Sequence, residues 1–363
     1  MIKVYYLTVE GISSSVFESQ VYSLKKEFDK DDKIDFNLII GQIVKSRISI
    51  KKFLKLFFEK KVSFLMLKNI INYKKISKKL SLLIKDDYSI LHCRNIDAAY
   101  VGLLVKNFYK PNIKIIYDVR GYVEGETLFF KKKEQHDRFV KLNNILFSSD
   151  IYFSFISKEL YELYKKQHKI PNEKIIVCNS AYNDMIFKIE KNNLESKKIN
   201  VIYIGGNQSY QNIERIENYF SNIESVNLTI ATTKSLNKKS NSKIKYLSDL
   251  SPTQLSTFMN NFDYGVLYRE NHLFNKIATP TKVTEYWGKG LKIIAFGNAG
   301  AYTKDILHDL RLGFVIEDVN IFESNKLAKV SFDEKKYISS FAKKKYSLSV
   351  NLVKYNDLYS KLS

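Results

Sequence analysis

The stretch 269–300, RENHLFNKIATPTKVTEYWGKGLKIIAFGNAG, concentrates the side chains best suited to chemistry. Lys282 and Glu285 stand three residues apart, a spacing that puts both on one face of a helix. Thr279-Pro280 just before them is a helix-start signal, a capping hydroxyl followed by proline at the first helical position. The predicted helix runs to Trp287 and stops in Gly288-Lys289-Gly290, with a strand at 291–295. The free N–H groups and positive dipole end of such a start hold an anion such as a diphosphate. Lys282 adds a full charge at the same place. Glu285, one turn on, is set to accept two hydrogen bonds from the vicinal hydroxyls of a ribose. A surface Lys–Glu pair is the competing reading, worth only ~0.2–0.5 kcal/mol to the helix. A cation in the first turn is unfavourable for a bare helix, so Lys282 asks for an anion nearby, which favours binding.

The first half offers weaker candidates. His92 ends a predicted strand at 89–93 and is suited either to stabilising a transition state or to packing. The segment 118–126, DVRGYVEGE, reads as a loop that brings Arg120, Glu124 and Glu126 towards an expected cleft. Arg120 there fits an acceptor phosphate or a donor oxygen, and fits equally a buried partner for Asp118. Residues 9–20, VEGISSSVFESQ, read as a loop with a helix starting near Ser14, and Gly11 permits close backbone approach. Cys93 and Cys178 sit in apolar runs and read as buried thiols of a reduced, cytoplasmic protein. No CxxC or HExxH pattern occurs, so neither a metal nor a cofactor is expected.

The elements that must position these groups alternate from end to end. Strands are predicted at 2–8, 34–40, 89–93, 114–118, 151–156 and 174–178, then at 200–204, 225–231, 243–246, 264–267, 291–295 and 313–316. Most are rich in Ile, Val, Tyr and Phe without strict alternation, as strands covered on both faces require. Helical stretches between them make the pattern βαβα with parallel sheets. Ser251-Pro252-Thr253-Gln254 is a capping box and starts one of these helices. At 363 residues the chain exceeds one core, and the polar stretch 191–198 divides it. The expectation is two doubly wound, Rossmann-like domains, 1–192 and 193–363, facing across a cleft. The last segment, 335–362, reads as helix that packs back on the N-terminal domain. Residues 1–10 read as a buried strand rather than a signal peptide, and no run of about 18 apolar residues suggests a membrane span.

The formal net charge is +21. Residues 43–85 alone hold 13 basic residues and one acid, Glu59. Phe53, Leu54, Phe57, Phe58, Phe64, Leu65, Leu67, Ile70 and Ile71 interleave those charges. Such a stretch suits an anionic membrane surface, or is simply a set of helices with solvated basic faces. A nucleic-acid groove rests on charge alone.

The pattern P-x-K-x-x-E-Y-x-x-x-G, here Pro280, Lys282, Glu285, Tyr286 and Gly290, resembles the donor-binding helix of family 4 retaining glycosyltransferases of the GT-B fold. Gly205-Gly206 is similar to that family's glycine-rich first turn of the C-terminal domain. Residues 247–267 and 175–187 resemble the approach to the donor loop and the turn before the interdomain crossing. The resemblance implies that Glu285 holds the donor ribose, that Gly205 and Gly206 approach the diphosphate beside Thr281 and Lys282, and that Arg269 adds a second cation. A structural ion pair is the other reading of Arg269. Many family members carry a second, sugar-contacting glutamate where this chain has Ile277, so Glu270, Asn271 or His272 would have to compensate. The family's arginine and lysine after the glycine turn are replaced here by Asn207–Tyr210. The acceptor would meet Gly11, Ser13, Arg120 and Glu124.

The function implied is transfer of a sugar, with retention, from a nucleotide-sugar donor to a glycan or lipid-linked acceptor in bacterial surface-polysaccharide synthesis. Lys282, Arg269 and His92 would serve the chemistry, in the cytoplasm or on the inner face of the cell membrane. Two other classes stand beside it. One is a nucleotide-sugar epimerase of the same fold, which wants acid/base pairs that this chain lacks in obvious form. The other is a non-catalytic basic protein that binds membrane or nucleic acid; the transferase reading expects no nucleic-acid partner.

Overall fold

The computed structural model describes residues 1–12, 16–43, 50–67, 71–191, 197–206, 211–232, 235–236, 238–317 and 326–363. The chain divides into two compact units, 1–179 with 351–363, and 180–350.

The first unit is built on seven parallel strands: β1 (Ile2–Thr8), β2 (Ile34–Ile43), β3 (Val62–Leu67), β4 (Ile90–Arg94), β5 (Lys114–Val119), β6 (Tyr152–Phe155) and β7 (Ile175–Val177). Their order is β3-β2-β1-β4-β5-β6-β7. The central strands are buried along almost their whole length, which is why they lack alternation in sequence. Helix Leu348–Leu362 runs from the second unit into this one, and Tyr355, Leu358, Tyr359 and Leu362 are buried.

The second unit has six parallel strands: β8 (Ile199–Gly205), β9 (Val226–Thr232), β10 (Ile244–Ser248), β11 (Tyr264–Tyr268), β12 (Lys292–Phe296) and β13 (Gly313–Ile316), in the order β10-β9-β8-β11-β12-β13. The unit begins at Ser180 and not at 193, because Tyr182 and Phe187 belong to its core. Tyr182 also exchanges backbone hydrogen bonds with Tyr346 and Leu348. Ser251 and Gln254 cap helix Pro252–Met259 reciprocally, as their spacing requires.

Three local expectations change. β3 was hidden in the basic stretch; its apolar run is short and directly follows two lysines. Residues 123–129 form a helix rather than a continuation of the loop, so Glu124 and Glu126 lie in its first turn. The loop 269–279 contains a short helix, Leu273–Lys276.

Candidate functional site

In each unit the strand order reverses once. Parallel sheets leave a crevice at the carboxyl ends of the strands flanking that reversal, where ligands bind. In the second unit the flanking strands are β8 and β11. Gly205 ends β8, Arg269 follows β11, and helix Thr281–Gly288 lies between β11 and β12.

Lys282 reaches back to β8. Its Nζ donates to Gln211 Oε1 at 2.8 Å and lies 4.5 Å from the centre of the Tyr203 ring. A Cβ on Gly205 would fall 2.6 Å from that Nζ, so the glycine is what lets the ammonium sit against the strand end. Half-buried and poorly hydrated, the Lys282 ammonium is pushed down to about 7, and the charge of Arg269 adds to the effect. Glu285 is pushed up to about 7 by the same loss of water, with Lys282 opposing the rise. No described residue donates a hydrogen bond to its carboxylate. The site thus keeps a cation and a carboxylate half out of water without pairing them closely.

The helix start differs from the sequence expectation. Pro280 is itself the cap residue, in extended conformation, and no side chain caps the first turn. Thr279 instead donates to Ser180 Oγ at 2.9 Å and accepts from the Ser180 N–H at 3.3 Å. The first-turn N–H groups, those of Thr281 and Lys282, are therefore left uncapped by any hydroxyl, and Thr281 keeps partial exposure.

The loop 269–279 is held from below. Arg269 Nη1 donates to Asn275 Oδ1 at 2.9 Å, while Asn275 and Asn298 both donate to the Glu270 carbonyl, at 3.0 and 3.1 Å. Asn275 and Asn298 are buried. Gly297, at φ +85°, would drive a Cβ to within 2.1 Å of the Arg269 carbonyl. Glu270 lies 3.3 Å from His272 Nε2, Asn271 is exposed, and Ile277 is core. Tyr203, Gln211, Asn275 and Asn298 had no sequence signal. Their roles follow from strand order and a loop's return path, which linear spacing does not carry.

In the first unit the reversal lies between β1 and β4. Glu10 follows β1, Arg94 ends β4, and Asp118 and Arg120 stand at the end of β5. Arg94 Nε donates to Glu10 Oε1 at 2.7 Å, and its Nη1 lies 3.5 Å from Asp118 Oδ2. Arg120 Nη1 is 3.5 Å from Asp118 Oδ1, which is the ion-pair reading, and Nη2 donates to Gln20 at 3.4 Å. Buried Glu10 Oε2 accepts no hydrogen bond among the described residues. Gly11 is exposed, with nothing near the position of a Cβ. Ser13 and the expected helix start at Ser14 lie outside the described residues, as do Asn207–Tyr210.

Two first-half candidates are enclosed. His92 is fully buried, its Nδ1 2.8 Å from Tyr359 Oη, with Tyr6, Tyr355 and Tyr359 around the ring. Burial holds its pKa down to about 4, with the neighbouring cations Arg120 and Arg94 adding and Asp118 opposing. It packs as a neutral ring among these tyrosines. Glu124 is buried too, accepting from Asn143 Nδ2 and Tyr164 Oη, each at 2.5 Å. Helix formation at 123–129 turns it into the core. Cys93 and Cys178 are buried free thiols.

Among the described residues no cluster of His, Cys, Asp and Glu is arranged to hold a metal, and no helix is long and apolar enough to cross a membrane. No family model matches the chain, and no curated protein matches it in sequence. Solved structures do. The sucrose-phosphate synthase from Thermosynechococcus elongatus superposes with a TM-score of 0.73 at 10% identity, over 100% of this chain and 99% of that one. A glycosyltransferase from Rickettsia africae gives 0.70 at 15%, over 99% and 98%. A putative UDP-N-acetylglucosamine 2-epimerase from Listeria monocytogenes gives 0.55 at 10%, over 88% and 85%. The fold is GT-B. In GT-B terms β1–β7 make the N-terminal unit and β8–β13 the C-terminal unit, and Lys282 and Glu285 belong to the latter.

Proposed function

We propose that this GT-B protein is a retaining glycosyltransferase that takes a sugar from a nucleotide-sugar donor held by 180–350. The observation that carries the reading is the Lys282–Glu285 pair beside Gly205 at the strand reversal, one group short of an anion and the other short of donors. A diphosphate supplies the anion, to Lys282, Arg269 and the uncapped N–H groups of Thr281 and Lys282. A ribose supplies two hydroxyls to the Glu285 carboxylate. Charge that builds on the departing diphosphate meets the same cations, so they stabilise the transition state more than the ground state. The scheme needs no metal or other cofactor.

The acceptor is a glycan or lipid-linked saccharide, met by the exposed Gly11 and the half-buried Arg120 of the first unit. Synthesis of a bacterial surface polysaccharide, on the cytoplasmic side, is the setting that fits such an acceptor. Likeness to an epimerase keeps that chemistry as the alternative, and products separate the two: a new glycosidic bond against an inverted sugar carbon.

The decisive experiment is a thermal-shift titration with UDP, GDP, ADP, CMP and their common sugar conjugates. A ligand at 100 times its dissociation constant adds about 2.7 kcal/mol. One responder is expected, silenced by Glu285→Ala. Silence from every nucleotide in the folded wild type refutes the donor site.

A further inference from the structure

Helix Ile50–Phe57 and the turn after it carry an apolar face that no described residue covers. Ile50, Leu54, Phe57 and Phe58 recur at helical spacing and are 75%, 47%, 56% and 78% exposed. The opposite side is anchored: Leu56 is buried, and Phe53 packs on Phe64 with ring centres 4.6 Å apart. Phe57 stacks on Phe53 and meets Phe58 edge-on, which fixes the outward rings in place. The helix packs on β3, the edge strand, where Met66 is also exposed. Single exposed apolar residues are ordinary, but a contiguous face of this kind marks a contact surface.

The charges around it narrow the partner. Lys55 and Lys60 flank the face and are exposed, and Lys61 beside them pairs with Asp35. Helix Tyr73–Leu83, which also packs on β3, carries exposed Lys74, Lys75, Lys78 and Lys79, none of them in an ion pair among the described residues. The acids of the region are engaged: Glu59 accepts from Tyr22 Oη at 2.5 Å, Glu18 pairs with Lys52 at 2.9 Å and Asp35 with Lys61 at 2.7 Å. A second copy of the chain would bring one such cationic surface against another. Nucleic acid would satisfy the lysines and leave Ile50, Leu54, Phe57 and Phe58 in contact with phosphates or water. An anionic lipid surface answers both at once, taking rings and aliphatic chains to the acyl boundary and lysines to the headgroups.

We infer that the β3 edge of the first unit docks on an anionic bilayer, with Phe57 and Phe58 as the inserted residues. This holds independently of the transferase reading, since docking needs no donor and is measured without one.

The test is co-flotation of the full chain with vesicles of phosphatidylcholine alone and of phosphatidylcholine mixed with phosphatidylglycerol. Binding is expected to the mixed vesicles, weaker by at least about tenfold for the double variant Phe57→Ser, Phe58→Ser. Both side chains are largely exposed, and an unchanged unfolding midpoint shows that the variant folds. Raising salt from about 0.1 M to about 1 M shortens the screening length from about 10 Å to about 3 Å and is expected to release the protein. A folded wild type that ignores mixed vesicles overturns the proposal. So does a double variant that floats as well as the wild type. Dimerisation lost on the double substitution, without vesicle binding, assigns the face to a second copy and equally overturns it.

Discussion

Lys282 is held where it destabilises the empty protein, and replacing it by methionine tests this directly. Lowering a lysine from 10.5 to about 7 amounts to about 5 kcal/mol, at about 1.36 kcal/mol per pH unit. The side chain keeps some contact with water, so screening reduces the working figure to on the order of 2 kcal/mol. Methionine has similar length and no charge, and it keeps the contact with Tyr203. Lys282→Met is therefore expected to raise the unfolding midpoint of the ligand-free second unit by on the order of 4–8 °C. The sign with pH is fixed. The unfolded chain binds a proton that the folded one refuses between about 7 and 10.5, so the wild-type penalty is complete below about 7 and gone above 10.5. Glu285→Gln is the mirror image, its gain complete above about 7 and gone below 4.5. Each partner also holds the other nearer its ordinary state, so each single substitution gains less than the isolated group implies. The assay is calorimetry across pH 6–10 without nucleotide, followed by a nucleotide titration. A Lys282→Met protein no more stable than wild type at pH 6–7 refutes the reasoning. So does one that still responds to the nucleotide that shifts the wild type.

Other outcomes follow from the same geometry. Gly205→Ala puts a methyl group against Lys282 Nζ, Gln211 Oε1 and Tyr203 Oη, all ends of side chains; stability should change by less than about 1 kcal/mol while nucleotide affinity falls roughly tenfold, read by calorimetric titration. Gly297→Ala meets the Arg269 backbone at positive φ, so it should lose about 2 kcal/mol or more of stability by denaturant titration. His92 resists protonation down to about 4 against an ordinary 6.5, so acidification between those values should remove on the order of 3 kcal/mol from the first unit. His92→Phe should flatten that slope and keep turnover within about twofold; lost turnover in a folded variant restores a chemical role for the ring. Glu124→Leu strands Asn143 and Tyr164 in the core and should destabilise by about 2–3 kcal/mol in urea unfolding.

Much of this fold could be read in advance because a buried parallel strand writes itself as a short apolar run with turn residues at its ends. The runs at 264–267 and 313–316 fall on β11 and β13 almost to the residue. β3 escaped because an edge strand needs fewer apolar residues and sits among lysines that read as helix. In the candidate site, the nearness of Lys282 to Glu285 was legible from helical spacing, and Gly205 from its place after a strand. Gln211, Tyr203, Asn275 and Asn298 were not, since each acts across sequence gaps closed only by strand order. The burial of His92 and Glu124 was illegible for a related reason. Chemistry-bearing side chains at strand ends look alike in sequence whether they face water or the core, and neighbours such as Tyr359, far along the chain, decide which.

The return of 351–363 to the first unit bears on how the chain matures. Tyr355, Leu358, Tyr359 and Leu362 fill its interior, and Tyr359 partners His92. Those residues leave the ribosome only after all of 180–350. The unit made first thus waits with an open seam for its last helix, while the unit made second has its whole core in hand earlier. Nascent chains halted before 351 should expose that seam to chaperones and proteases.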